Sequence, residues 1–220
     1  MENNLIINLR NISFGYHQNS SVLRDFNFAL HKGDRVGIIG PNGCGKTTML
    51  YLIMGLLKPQ GGSVEVFGKE RVEEEDFVEV RERIGFLFQN SDDQLFCPSV
   101  REEIAFGPLN FGKRGQVVEQ IVEESLARVG LDGFKPRIPY HLSGGEKRRL
   151  ALATILAMKP RTLLLDEPTL GIDLATVEKI IEILNEPGLS YVVISQNMDF
   201  LKRATKRLCT FEDGKITKVE

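Results

Sequence analysis

RVGIIGPNGCGKTTMLYLIMGLL, residues 35–57, decides how the rest of the chain is read. RVGIIG is a near-continuous apolar run of the kind found in strands buried on both faces of a parallel sheet. KTTMLYLIMGLL reads as a buried helix ending near Lys58-Pro59. Between strand and helix, GPNGCGKTT at 40–48 has the spacing GxxxxGK followed by Ser or Thr. Gly40, Gly43 and Gly45 let backbone N–H groups converge on an anion, and the helix N-terminus adds its dipole. Pro41, Asn42, Cys44 and Thr48 complete the loop. Lys46 is placed to reach the β- and γ-phosphates of a nucleotide, and the Thr47 hydroxyl to ligate Mg²⁺. An ordinary glycine-rich turn would need neither residue.

Working outward, the first thirty residues alternate and break at polar turns, which predicts an antiparallel sheet. SVEVFG (63–68) and IGFLFQ (84–89) are further short strands, and the charged run KERVEEEDFVEVRER (69–83) reads as a solvated helix face. From 99 to about 158 the pattern is helical throughout. Strands resume at RTLLLDE (161–167) and YVVIS (191–195), with the helix DLATVEKIIEIL between them. Near the end, Asp213-Gly214 separates two short strands as a two-residue hairpin turn. This order predicts an α/β fold: a parallel-sheet nucleotide-binding core, an N-terminal antiparallel β-subdomain and an inserted α-helical subdomain. Residues 1–220 form one domain, with core and β-subdomain in 1–90 and 160–220 and the helical insert in 91–159.

Composition narrows the function. Lys and Arg total 28 against 30 Asp and Glu, so no global basic field favours nucleic acid. No apolar run approaches the ~18–20 residues of a membrane-spanning helix, and MENNLIINLR does not read as a signal peptide. Cys44, Cys97 and Cys209 lie far apart, and His17, His31 and His141 form no metal-binding pair. Any bound metal must therefore be held by oxygen.

LLLDE supplies such oxygen: Asp166 ends an apolar run and is placed to hold Mg²⁺, while Glu167 is placed to polarise an attacking water. HLSGGEKRRLALA (141–153) narrows the reading further. Ser143 and Glu146 form a capping box that opens a helix. Gly144 and Gly145 then make a second anion-binding helix end, far in sequence from the first.

Together these stretches resemble the ATP-binding-cassette (ABC) ATPases. LSGGE is similar to their signature motif, LLLDEPTLGID (163–173) to their Walker B and D-loop, and Gln89 in FQNSDDQLF to their Q-loop. Tyr16 in SFGY sits where the family places an aromatic that stacks on adenine. FQNSDDQLF followed by SVREEIAFGPLNFG looks most like the ATPases of energy-coupling-factor importers, including the cobalt and nickel type. The resemblance implies an ATPase that drives import of a metal ion or vitamin, with ATP and Mg²⁺ as cofactors. The resemblance further implies that Gln89 joins Thr47 and Asp166 as a metal ligand. It also implies a second cassette chain as partner, head to tail, so that Ser143, Gly144, Gly145 and Glu146 face the partner's ATP and Asp173 lies at the seam. Integral membrane subunits are the other implied partners, and the chain would sit peripherally on the cytoplasmic face of the membrane. Many such subunits carry a further C-terminal dimerising segment beyond the point matching GKITKVE, so dimerisation here is expected to rest on ATP and the membrane subunits.

One stretch departs from the pattern. In VVISQNMDF (192–200), Gln196 and Asn197 follow the strand where the family usually places His and often Asp. That histidine bonds the γ-phosphate; an amide can also donate, but it never becomes a charged donor. Gln196 is thus expected to be a weakened substitute beside Glu167 in hydrolysis. The alternative is a catalytically weak nucleotide-binding partner in a heterodimeric pair.

Overall fold

The computed structural model describes residues 4–17 and 21–219. Met1–Asn3 and Gln18–Ser20, which belong to the expected N-terminal sheet region and in part to the stretch read for a signal peptide, lie outside them. Two sheets are present among the described residues. The first is antiparallel, with order β2-β1-β4-β5, built from β1 (Leu5–Phe14), β2 (Leu23–His31), β4 (Gly61–Val66) and β5 (Lys69–Glu70). The second has order β10-β9-β3-β8-β7-β6. Its strands are β3 (Arg35–Ile39), β6 (Ile84–Leu87), β7 (Thr162–Asp166), β8 (Ser190–Ile194), β9 (Arg207–Glu212) and β10 (Lys215–Val219). From β9 through β6 all pairings are parallel, and only β10 runs antiparallel, after the expected turn that pairs Glu212 with Lys215.

The two faces of the parallel sheet feed two cores. Alternate residues of one strand go to opposite sides, as the two-residue period of a strand requires. Leu163 and Leu165 pack on the helical side, while Leu164 packs on the side of the antiparallel sheet. The helical side is built from α3 (Val100–Asn110), α4 (Gln116–Val129), α5 (Gly144–Leu156), α6 (Leu174–Leu184) and α7 (Met198–Ala204). Each begins or ends where its sequence says it should. Ser99 caps α3 by accepting from Glu102 N, α4 stops at Gly130 in the left-handed region, and Asp173 caps α6 by accepting from Thr176 N.

Two local expectations need correction. The helix after the glycine loop, α1, runs only over Lys46–Ile53, not to Lys58-Pro59. Gly55 turns the chain at φ 68°, against the Phe77 ring, where a Cβ would come within 2.3 Å of a ring carbon. The charged run 69–83 is not one solvated helix: it contains β5, a turn and the short helix α2 (Asp76–Arg83). Arg71 is buried there, donating to Val66 O, Asp76 O and the Glu79 carboxylate.

Candidate nucleotide site

β3, β8 and β7 are neighbours in the sheet, and their C-terminal ends bring three sequence-distant segments together. From β3 comes the loop 40–45. Gly40 passes so close to β9 that a Cβ would lie 2.2 Å from Phe211 O, which no side chain tolerates. Gly43 and Gly45 hold φ of 77° and 110°, in the left-handed region that glycine enters without steric cost. Gly45 is the N-cap of α1 and no side chain caps that helix, so its first N–H groups are left to an anion. Pro41, Asn42 and Gly43 are exposed at the tip, whereas Lys46 is buried inside the loop. The Lys46 ammonium donates to Gly40 O at 2.8 Å and Pro41 O at 2.6 Å, and lies 3.7 Å from Cys44 Sγ. Such a loop, with its cation held centrally, fits a polyphosphate.

β7 delivers Asp166, only 2 % exposed, which accepts from Thr47 Oγ1 at 2.6 Å. Burial pushes the Asp166 carboxyl upward, opposed by the Thr47 bond and by the positive charges of Arg148 and Lys46. Among the described residues no cluster of three or more His, Cys, Asp or Glu could hold a metal. A hard cation beside Thr47 and Asp166 would therefore complete its shell with phosphate and water oxygens, which suits Mg²⁺. Glu167 follows in the left-handed region at φ 46°, rare for a residue with a Cβ. Its N–H donates to Ile194 O, and its Oε2 accepts from Gln196 N at 3.2 Å. Burial raises the Glu167 pKa, partly offset by that backbone bond.

β8 supplies Gln196, whose Nε2 donates to Gly40 O at 2.6 Å. The amide that puzzles in the sequence is thus tied to the first carbonyl of the glycine loop, which Lys46 also engages. Asn197 serves a local purpose: its side chain caps α7 by accepting from Phe200 N. Tyr16 is half exposed, and its hydroxyl lies 3.0 Å from Thr48 Oγ1, at the rim of the same loop. Gln89 is exposed at the end of β6, and only its backbone oxygen makes a described hydrogen bond, to Arg148.

The second helix end lies apart from this cluster. Ser143 Oγ accepts from Glu146 N and Glu146 Oε2 accepts from Ser143 N, the reciprocal capping box. Gly144 has open space where a side chain would go. Gly145 faces Asp173, whose Oδ2 would lie 3.6 Å from an added Cβ. Leu170, Leu174 and Tyr140, in the loops flanking these residues and at the start of α6, are largely exposed. Sequence reasoning missed Arg148, which is buried and donates to five backbone carbonyls of the site. It sits in the run Lys147-Arg148-Arg149, which looks solvated; the usable signal was its helical spacing to Ala151, Leu152 and Ile155.

A strand-to-helix phosphate loop flanked by Asp166 and Glu167 defines a P-loop nucleotide-binding protein of the ATPase class. Residues 23–170 match the family described as ABC transporter, and the chain belongs to that family. It is 43 % identical over 96 % of its length to the energy-coupling factor transporter ATP-binding protein EcfA of Methanothermobacter thermautotrophicus, covering 69 % of that protein. Its fold superposes with TM-score 0.85 and 29 % identity on cbiO1 of Clostridium perfringens, described as part of the ABC transporter complex cbiONQ, covering 97 % of this chain and 87 % of that one. A dimeric ATP-binding cassette solved in a post-hydrolysis state with ADP and Pi gives TM-score 0.87 at 28 % identity, covering 98 % and 99 % of the two chains. The chain is thus an ABC ATPase cassette, and the expected α/β fold with its β and helical parts is the one observed.

Proposed function

We propose that this chain is the ATP-hydrolysing subunit of an energy-coupling-factor type importer, acting as one half of a cassette dimer bound peripherally to membrane subunits. The observation that carries the reading is the junction of Thr47, Asp166, Glu167 and Gln196 around the glycine loop, with Thr47 and Asp166 2.6 Å apart. Gly40–Thr48 bind the triphosphate, and Tyr16 at the rim receives the base. Thr47 and Asp166, with Gln89 from the neighbouring strand end, would hold Mg²⁺, which would supply neutralisation of phosphate charge. Glu167 draws the proton of the attacking water and aims it at the γ-phosphorus; burial, which raises its proton affinity, suits it to that task. Ser143, Gly144, Gly145 and Glu146 present a helix N-terminus to the ATP of the partner chain, with Asp173 at the seam. ATP then joins the two chains, and hydrolysis removes the joint.

Membrane subunits dock at the cleft of about 290 Å³ between core and helical part, where Phe88, Gln94, Phe96, Glu103 and Phe106 meet. Asp93, exposed at the cleft edge, is the position for a photocrosslinker. Crosslinks from it to a co-expressed membrane subunit support docking there; crosslinks only from the β1–β2 sheet contradict it.

A second reading is favoured by Gln196. With a neutral amide at the position where the resemblance leads one to expect histidine, the site built on this chain's own loop hydrolyses slowly, while its signature end completes a faster site on a different partner. In such a pair, Gly145→Asp damages transport more than Glu167→Gln does. The opposite ranking rules the pairing out.

A further inference from the structure

Arg148 sits in the second turn of α5 and is 3 % exposed. The described hydrogen bonds of its guanidinium all go to backbone oxygen. Nη2 donates to Asp166 O and Glu167 O, each at 2.6 Å, and Nε to Pro168 O at 3.2 Å. Nη1 donates to Phe88 O at 2.5 Å and Gln89 O at 3.3 Å. Burial lowers the Arg148 pKa to about 10, so the group keeps its charge at neutral pH. Burying a cation is costly unless its donors are satisfied; here each of its three nitrogens is, and the Asp166 and Glu167 carboxylates offset part of the burial.

The three carbonyls of 166–168 belong to the turn in which Glu167 takes φ 46°. A non-glycine residue in the left-handed region is strained and persists only where its surroundings over-determine it. Other bonds on that turn include Glu167 N to Ile194 O, Leu170 N to Glu167 O and, on the side chains, Gln196 N to Glu167 Oε2 and Thr47 Oγ1 to Asp166 Oδ2. Without the guanidinium, the buried carbonyls of Asp166 and Pro168 and the half-buried one of Glu167 each lose a donor, and the Glu167 peptide can relax toward ordinary φ. That relaxation carries the carboxylate off Gln196 N. The remaining two carbonyls belong to the segment after β6, which is bonded to α5 at two further residues, Asp92 and Gln94. Lys147 pairs with Asp92 at 2.6 Å, and Gln94 Nε2 donates to Ala151 O at 2.9 Å.

We infer that Arg148 is a positioning residue for ATP hydrolysis: it fixes the Asp166–Pro168 turn in the conformation that aims Glu167, and pins that turn to the Gln89 segment and to the signature helix. The inference rests on the proposed reading of Glu167. None of the described hydrogen bonds of Arg148 reaches the glycine loop 40–48, so the loop's hold on the triphosphate is expected to survive a loss of turnover.

The test uses the purified full chain as wild type, Arg148→Met, Arg148→Lys, Glu167→Gln and the double variant Arg148→Met/Glu167→Gln. Turnover, KM for ATP and melting temperature are measured for each. Misplacing a reacting group by ~1 Å costs about 10²-fold, so Arg148→Met should lose roughly that in kcat with KM within about twofold. Arg148→Lys, which keeps charge and donors but not the planar fork, should fall between the two. Because Arg148 acts through Glu167, the double variant should be no slower than Glu167→Gln alone. Wild-type kcat in a folded Arg148→Met, or additive losses in the double variant, overturns the inference. So does a parallel loss of kcat, ATP affinity and melting temperature, which is the mark of scaffolding only. If Arg148→Met does not fold, Arg148→Lys decides by the same split. If Glu167→Gln itself turns over like wild type, the reading of Glu167 fails and takes this inference with it. A slow Glu167→Gln beside a fast Arg148→Met sinks the inference alone.

Discussion

Replacing Gln196 by histidine should speed hydrolysis, and the gain can be worked from the site. In the described geometry Gln196 Nε2 is spent on Gly40 O at 2.6 Å, so donating to a phosphate means giving up that bond. A neutral hydrogen bond is worth about 1 kcal/mol net. A charged donor to phosphate exceeds a neutral one by about another 1 kcal/mol. Histidine in its protonated form recovers up to about 2 kcal/mol, roughly 5- to 30-fold in rate. Gln196→Ala loses both the loop bond and the donor, and should be several-fold slower than wild type. A complete donor deletion at such a site typically costs ~10²–10³, which sets the floor. The assay is steady-state phosphate release at saturating Mg·ATP, followed from pH 6 to 8.5. The sign of the pH dependence discriminates: imidazole loses its charge above about 6.5, so the advantage of the His variant should shrink as pH rises, with no such limb in wild type. Identical rates for Gln, His and Ala at every pH would refute the placement of residue 196 at the phosphate.

Further expectations concern the loop and its carboxylates. Lys46→Ala removes the buried ammonium that holds Gly40 O and Pro41 O, and should abolish tight binding of a fluorescent ATP analogue. Undiminished affinity would remove Lys46 from the site. Gly40→Ala drives a methyl into Phe211 O and should cost about 1–3 kcal/mol of stability, read by urea denaturation, together with ATP affinity. Asp166→Asn should be inactive yet melt higher than wild type at neutral pH. The Asp166 pKa is raised by burial, so its favourable contribution to folding is present below the ordinary carboxylate range and is lost as pH rises through the raised value. The advantage of the Asn variant should therefore shrink as pH falls through that window, and a constant or growing advantage would contradict the assignment.

What the sequence disclosed was local chemistry. The loop 40–48, the capping box at Ser143 and Glu146 and the turn at Asp213-Gly214 are each set by a few adjacent residues, and each lies where its pattern implies. What stayed hidden depends on partners distant along the chain. The helix after the loop ends early because Gly55 meets the Phe77 ring across the fold. Arg71 and Arg148 sit in charged runs that look solvated, yet both are buried because backbone carbonyls, invisible in a sequence, accept from them. Gln196 was legible as an anomaly, but its bond to Gly40 O needed the adjacency of β3 and β8.

The proposed role of Glu167 is tested most directly by single-turnover hydrolysis of Mg·ATP by wild type and Glu167→Gln, with the oligomeric state followed in the same samples. The amide keeps the side chain's shape and its contact with Gln196 N, but it cannot take the proton of the attacking water. Glu167→Gln is predicted to bind ATP as tightly as wild type, to hydrolyse it at least ~10²-fold more slowly, and to accumulate as an ATP-bound dimer. Wild-type turnover in that variant, with no longer-lived dimer, would contradict the account.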